Sequence, residues 1–248
     1  MSFKQRLQSG ESLSGTMVTL ASPEVAEMLS LCDFDWLFLD GEHAPLAPLG
    51  WQRVIQATGG RCANLLRVPE STEAAMKQAL DIGTDGVIVP NVKTADLAKQ
   101  IVDWCKYPPR GSRGVGLARA HGYGLGFAEY VQSANDDTLV VIQAEHIDAV
   151  NNIEDIVKVN GIDCVFIGPY DLSASMGKMG EVDDPDVIAA IDHVAATCKS
   201  KNISLGYFGV DANAVRVYRD KGFSLICAGT DAGLLTGAAM QLRESLNS

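Results

Sequence analysis

No apolar run in the chain approaches the roughly 18 residues that a membrane span requires, and its first fourteen residues lack the apolar stretch of a secretory signal. The cytoplasm is therefore the expected compartment. Positive charge is scarce as well: 20 Lys and Arg stand against 31 Asp and Glu, giving a formal charge of −11, and no basic run offsets it locally. Such a field repels phosphate backbones and anionic lipid, so neither nucleic acid nor a membrane surface is an expected partner. An anionic small molecule stays open, because one arginine or a bound cation in a cleft overrides a long-range field. Aromatic residues make up only 6 % of the chain, which points to a core of branched aliphatics and alanine. The six cysteines (Cys32, Cys62, Cys105, Cys164, Cys198, Cys227) contain no Cys-x-x-Cys pair, so they read as reduced core residues. Also missing are His-Glu-x-x-His, the phosphate-loop motif and Gly-x-Ser-x-Gly, which removes the usual signatures of zinc proteases, nucleotide hydrolases and serine esterases.

What the sequence does have is an alternation of short, β-rich apolar runs with longer segments of helical period, the pattern of a parallel sheet with crossover helices. Eight strands are predicted, at 13–19, 35–40, 62–68, 86–90, 138–145, 163–168, 203–208 and 223–229. Helices are predicted near 23–31, 46–58, 72–81, 94–106, 148–158, 185–200, 211–220 and 230–246. Runs such as Trp36-Leu37-Phe38-Leu39 and Cys164-Val165-Phe166-Ile167 are apolar at every position, as strands covered on both faces should be. The count of eight, 248 residues and the absence of a Gly-x-Gly-x-x-Gly after the first strand favour an α/β fold with one (β/α)8 barrel over 1–248, rather than an open dinucleotide-binding sheet. One stretch breaks the period. The glycine-rich segment 107–137 is too long for a plain connection, which makes it a functional or a flexible loop on the face opposite the strands' carboxyl ends.

Barrel active sites form at the carboxyl ends of the strands, so polar residues that terminate apolar strands are the candidates. They are Asp40, with Glu42 and His43 just beyond it; Arg67; Gln143 and Glu145; and Asp171, after Gly168-Pro169-Tyr170. Gln143 and Glu145 stand two apart and share a strand face. Two carboxylates converging from neighbouring strands repel unless a cation lies between them, so Glu145 and Asp171 read as ligands of a hard divalent ion, against the alternative of a helix cap and a turn residue. Arg67 is either the ion-pair partner of Asp40 or Glu42 or a fixed cation for an oxyanion or carboxylate. His43 is either a surface cap or a general acid–base group. His121, His146 and His193 read as structural or surface residues. No lysine falls at a strand end inside the barrel, which disfavours Schiff-base chemistry and leaves the electrophilic work to a metal.

Three segments carry a likeness: 34–45 (Phe-Asp-Trp-Leu-Phe-Leu-Asp-Gly-Glu-His-Ala-Pro), 107–116 (Tyr-Pro-Pro-Arg-Gly-Ser-Arg-Gly-Val-Gly) and 166–173 (Phe-Ile-Gly-Pro-Tyr-Asp-Leu-Ser). Together they resemble the class II pyruvate aldolases, which include 4-hydroxy-2-oxoheptanedioate, 2-dehydro-3-deoxyglucarate and 2-keto-3-deoxy-L-rhamnonate aldolases. The resemblance runs from about residue 5 to 245. It implies a phosphoenolpyruvate/pyruvate-type barrel, and reversible cleavage of 4-hydroxy-2-oxo acids to pyruvate or hydroxypyruvate and an aldehyde through a metal-stabilised enolate. Glu145 and Asp171 would hold Mg²⁺ or Mn²⁺, with Co²⁺ a further candidate. Arg67 would stabilise the enolate oxygen, and backbone amides near Tyr170 and Asp171 would bind the substrate carboxylate. His43, oriented by Asp81 of Leu80-Asp81-Ile82-Gly83, would move the proton through a metal-bound water, while Asp40 and Gln143 position water and substrate. Gly168, Pro169, Tyr170 and Phe208 would complete the substrate pocket. A homohexamer, a dimer of trimers with C-terminal helices swapped between subunits, is implied too, with Asp81 free to serve a neighbour's histidine. Tyr170 stands where relatives commonly carry a small residue, which bears on the aldehyde pocket. The competing readings are carbon–carbon lyase chemistry on a CoA thioester, as in citrate-lyase-like relatives, and a barrel reduced to a scaffold. The first needs a broader, more basic CoA site than this sequence offers, and the intact set Arg67, Glu145 and Asp171 argues against the second.

Overall fold

The computed structural model describes residues 1–247 and contains a closed, all-parallel barrel in which each strand pairs with its sequence neighbours and the last returns to the first. The strands are β1 (Leu13–Val18), β2 (Trp36–Asp40), β3 (Ala63–Arg67), β4 (Gly86–Val89), β5 (Leu139–Ala144), β6 (Cys164–Ile167), β7 (Ser204–Gly209) and β8 (Leu225–Thr230). All eight coincide with the predicted ones to within a residue or two. The helices are α1 (Phe3–Gln8), α2 (Pro23–Ser30), α3 (Pro48–Thr58), α4 (Glu73–Asp81), α5 (Ala95–Cys105), α6 (Phe127–Asp137), α7 (Ile147–Asn151), α8 (Ile153–Ile156), α9 (Pro169–Ser175), α10 (Pro185–Ser200), α11 (Ala212–Asp220) and α12 (Asp231–Asn247). Among the described residues, no helix is long and apolar enough to cross a membrane.

Apolar residues on both strand faces produce two cores. One fills the space between strands and helices, and the other plugs the barrel itself with Leu13, Trp36, Phe38, Leu65, Leu139 and Phe166. Trp36 sits edge-on to Phe166, with ring centres 6.3 Å apart. Its indole N–H is satisfied by the carbonyls of Leu13 and Ile226. Room for that ring comes from Gly15, where a Cβ would lie 2.6 Å from the Trp36 side chain. The barrel interior is thus filled by side chains, and the cavity above this plug opens at the carboxyl ends of the strands.

The structure adds three helices that the sequence reading did not place. α1 starts from a capping box between Ser2 and Gln5 and inserts Leu7, fully buried, into the lower end of the barrel plug. α9 begins with Pro169 at its first turn, immediately after β6. α6 lies inside the segment 107–137, which is clipped at its base: Tyr107 N–H donates to Asn135 Oδ1, Asn135 Nδ2 donates back to Tyr107 O, and the buried Lys106 ammonium donates to the carbonyls of Asn135 and Thr138. His121 ties the glycine turns together there, its Nδ1 accepting the Gly124 amide and its Nε2 donating to the Gly116 carbonyl at 2.7 Å. The helix predicted at 148–158 is two short helices, with Asn152 as the junction. Five cysteines are buried as read, but Cys32 is exposed just past α2. α12 packs chiefly against β1 and β8 at its start. Asp231, accepting from the Thr19 amide and hydroxyl and the Leu20 amide, is its only buried residue, and Leu235, Leu242 and Leu246 face outward.

Candidate active site

A cavity of about 240 Å³ opens at the carboxyl ends of the strands, and most of the residues the sequence singled out line it: Asp40, His43, Arg67, Gln143, Gly168, Pro169, Tyr170, Asp171 and Phe208, whereas Glu42 and Glu145 are not among its lining residues. Strand register explains the first pair. Asp40 and Arg67 are direct partners across β2 and β3, so their side chains emerge side by side at the same height. Arg67 donates from Nε to Asp40 Oδ1 at 3.0 Å and from Nη2 at 2.9 Å, while Nη1 lies 3.2 Å from Glu42 Oε2. Its guanidinium also stacks over Phe38, 5.2 Å from the ring centre. Both alternative partners named for Arg67 are therefore present, and they hold a buried cation in a single orientation at the cavity wall. Asp40 Oδ1 further accepts the amides of Glu42 and His43, which folds the turn after β2 and brings His43 to the cavity rim.

Gln143 and Glu145 do share a face. Gln143 Nε2 donates to Glu145 Oε2 at 2.8 Å, and the Asn91 amide, from a residue with φ of 55°, donates to Oε1 at 2.8 Å. Neither donor carries a charge, so among the described residues no cationic side chain donates to this buried carboxylate. Burial, together with the nearby charges of Asp171 and Glu42, raises its pKa to about 7, against the lowering effects of the Asn91 amide and Arg67. Glu42 is pushed upward by burial as well, with Arg67 and His43 opposing and Asp40 and Asp171 adding to the shift. Among the described residues Gln143 Oε1 is buried without a partner, an orphan acceptor of the kind that a substrate, a water or a hydrated ion normally satisfies. At Gly168 a Cβ would lie 2.8 Å from Glu145 Oε2 and 3.0 Å from its Cβ, so glycine is what lets β6 pass this close to the carboxylate. Asp171 follows in the first turn of α9, exposed to the cavity and close enough for its charge to act on Glu145.

Among the described residues, no group of three or more His, Cys, Asp or Glu side chains is gathered for a metal. A closed structural cage is thus ruled out among them, and a two-carboxylate site with open positions is the arrangement that fits a catalytic hard cation. Three observations of this structure fit such an ion: a charge-starved buried carboxylate, a second carboxylate beside it, and an orphan acceptor between β5 and the cavity.

Not every predicted residue is at this end. Asp81 closes α4, at the opposite end of the barrel, where it pairs with Arg113 at 2.8 Å. Arg113 is itself buried, with its guanidinium 4.5 Å from the Tyr107 ring. Within one chain His43 has no contact with Asp81. Its ring is 70 % exposed, and its carboxylate neighbour is Glu42, at 3.7 Å. His146 caps α7 through the Asp148 amide, and His193 pairs on the surface with Glu154, both outside the site as read. The sequence reading missed Met17, Phe38 and Phe166, which form the apolar side of the cavity. Strand alternation held the signal for two of them, because Phe38 stands two residues before Asp40 and Phe166 two before Gly168.

Comparison with known proteins agrees with this geometry. Residues 13–238 match the family described as HpcH/HpaI aldolase/citrate lyase. The chain is 38 % identical, over 97 % of its length and 90 % of the relative's, to a hydroxypyruvate/pyruvate aldolase of Pseudomonas aeruginosa. Other relatives at 34 and 37 % identity are also named as aldolases. The crystal structure of a family protein from Burkholderia cenocepacia superposes with a TM-score of 0.95 at 34 % identity, covering 99 % of this chain and 98 % of that one. The citrate lyase beta subunit of M. tuberculosis shares the fold alone, with a TM-score of 0.59 at 13 % identity, covering 92 % of this chain and 95 % of that one. A barrel with these residues at its carboxyl rim, matched along nearly its whole length, belongs to the HpcH/HpaI aldolase/citrate lyase family.

Proposed function

We propose that the chain is a class II aldolase that cleaves 4-hydroxy-2-oxo acids reversibly to pyruvate, or hydroxypyruvate, and an aldehyde. The observation that carries the reading is the buried Glu145 carboxylate, to which no cationic side chain among the described residues donates, set beside Asp171 and the orphan Gln143 Oε1. Glu145 and Asp171 would hold Mg²⁺ or Mn²⁺, with Co²⁺ a further candidate. Such an ion, when bound, supplies Lewis acidity to a 2-oxo acid.

The chain's own groups supply the rest. Arg67, locked by Asp40 and Glu42, presents a permanent positive charge where an enolate oxygen gathers charge, and being held in place it needs no reorganisation at the moment of reaction. The helical ladder of α9 opens with Leu172 N–H to Gly168 O at 3.0 Å, which leaves the Tyr170 and Asp171 amides outside it as donors for a carboxylate. Gln143 Oε1 accepts from a water or a substrate hydroxyl. His43, at the rim, exchanges the proton between substrate and solvent. Asp81 belongs to this scheme only across a subunit boundary, orienting the histidine of a neighbour. Assembly into a hexamer with exchanged α12 helices accords with the outward apolar residues of that helix and with Val115, Leu117 and Leu125 exposed on the 107–137 excursion. The cytosol is the proposed setting.

The test is pyruvate release from a racemic 4-hydroxy-2-oxo acid before and after EDTA. Activity is expected to vanish and to return with Mn²⁺ or Mg²⁺, and cleavage indifferent to chelation would exclude the metal role. Gly168→Ala probes the same centre from the side. Its methyl group displaces Glu145, so Mn²⁺ affinity measured by calorimetry is expected to fall roughly 10- to 100-fold, the range seen when a ligand's support is disturbed.

A further inference from the structure

The cavity is divided in character. One side holds Arg67 and the carboxylates, and the other is Met17, Phe38, Phe166, Tyr170 and Phe208, with no charged group among them. Among the described residues lining the cavity, Arg67 is the only arginine or lysine, and both Asp40 and Glu42 draw on its guanidinium. A 2-oxo acid brings one carboxylate, and the aldolase reading already assigns it a place at the α9 amides. A second carboxylate on the aldehyde would have to sit beside Asp40 and Asp171 with no free cation among the lining residues to receive it, inside a chain of net charge −11. An apolar tail meets the opposite conditions, because Phe166 and Phe208 project from adjacent strands toward the same space and aromatic faces gain from covering it.

Resting on the aldolase reading, we infer that the natural acceptor is an uncharged aldehyde with a short aliphatic or aromatic tail, seated against Phe166 and Phe208 and covered by Tyr170. Tyr170 is 39 % exposed at the mouth of the cavity, so its ring borders the tail on one side and water on the other. In the synthetic direction the pyruvate methyl carbon, having lost a proton to the base, bonds to the aldehyde carbon. The aldehyde π pair moves to its oxygen, which takes up a proton, and the 2-oxo group re-forms as the enolate double bond is consumed. The tail takes no part in these electron shifts, so its chemistry is selected by the wall alone. A volume near 240 Å³, about eight waters' worth at ~30 Å³ each, suits pyruvate and a tail of a few carbons.

Butyraldehyde and succinic semialdehyde differ chiefly by a terminal carboxylate and form the matched pair for the test. The metal-loaded enzyme is given pyruvate and each aldehyde in turn, and kcat/KM is measured by product formation. In parallel, loss of the pyruvate methyl proton signal in D2O is followed without acceptor. Butyraldehyde is expected to be preferred at least tenfold, and Phe208→Lys to shift the ratio toward succinic semialdehyde at least tenfold. Equal or greater efficiency with succinic semialdehyde, while methyl exchange proceeds, would overturn the acceptor assignment and leave the aldolase reading standing. Absence of methyl exchange in the wild-type enzyme would overturn the reading beneath it, and the assignment would fall with it.

Discussion

Glu145→Gln is expected to lower kcat for pyruvate release by about 10³-fold, equivalent to ~4 kcal/mol of transition-state stabilisation at 1.36 kcal/mol per decade. The exchange is nearly isosteric, so folding should survive it. The glutamine still accepts the Asn91 amide, but it carries no charge for a divalent ion, and Asp171 alone is an exposed single ligand. Mn²⁺ binding, read by calorimetry or electron paramagnetic resonance, should be lost together with activity. The wild-type chain carries a pH signature of the same origin. Burial, with Asp171 and Glu42 nearby, places the Glu145 carboxyl at about 7 in the ion-free protein. The ion competes with that proton, so affinity is full above pH 7 and declines as pH falls through it, by roughly tenfold per unit. The sign for folding is the reverse. A carboxyl whose native pKa is raised holds a proton that the unfolded chain releases, so without metal it costs stability as pH rises from the ordinary carboxylate range toward 7. In Glu145→Gln the pH slope of Mn²⁺ binding should disappear along with the binding.

Arg67 should respond differently to two substitutions, and the difference separates its chemical from its structural part. Arg67→Lys keeps a charge but loses the planar fork that spans Asp40 and Glu42, so the cation no longer points at one fixed place. We expect kcat to drop about 10²- to 10³-fold, as when a preorganised oxyanion donor is removed, with little change in melting temperature. Arg67→Ala should lose at least as much activity and also stability. It strands Asp40, 2 % exposed, without its partner, and breaking a buried pair from one side costs about 3–5 kcal/mol. Thermal denaturation beside the kinetic assay reads both. Equal melting temperatures for the two variants would mean that the Arg67–Asp40 pair has no structural part.

These expectations rest on features that the sequence exposed unevenly. The eight strands were legible because barrel strands buried on both faces leave uninterrupted apolar runs, and the rim position of the candidate residues because a polar side chain ending such a run has few other places to go. The Gln143–Glu145 pair followed from strand alternation alone. Helix α6 was hidden by its neighbours: Phe127, Tyr130, Val131 and Ala134 have helical spacing, but the glycines from Gly111 to Gly126 had already marked the segment as loop. α9 was obscured because Pro169-Tyr170-Asp171 reads equally as a turn, although proline at a first helical position was the available cue. The support of Glu145 by the Asn91 amide and the clearance at Gly168 were out of reach of any pattern, since both depend on how closely two non-adjacent segments approach. The distance between His43 and Asp81 belongs to the same class: Asp81 ends a helix and His43 follows a strand, so the topology places them at opposite ends of one barrel, and only assembly can join them.

The central claim is a divalent cation held between Glu145 and Asp171, and anomalous diffraction from crystals grown with Mn²⁺ and pyruvate tests it most directly. The expected result is one peak about 2.0–2.6 Å from an oxygen of each carboxylate, the range of hard cations on oxygen, with pyruvate on its open side facing Arg67. A carboxyl rim devoid of anomalous signal under saturating Mn²⁺, or a peak ligated by neither residue, would contradict it.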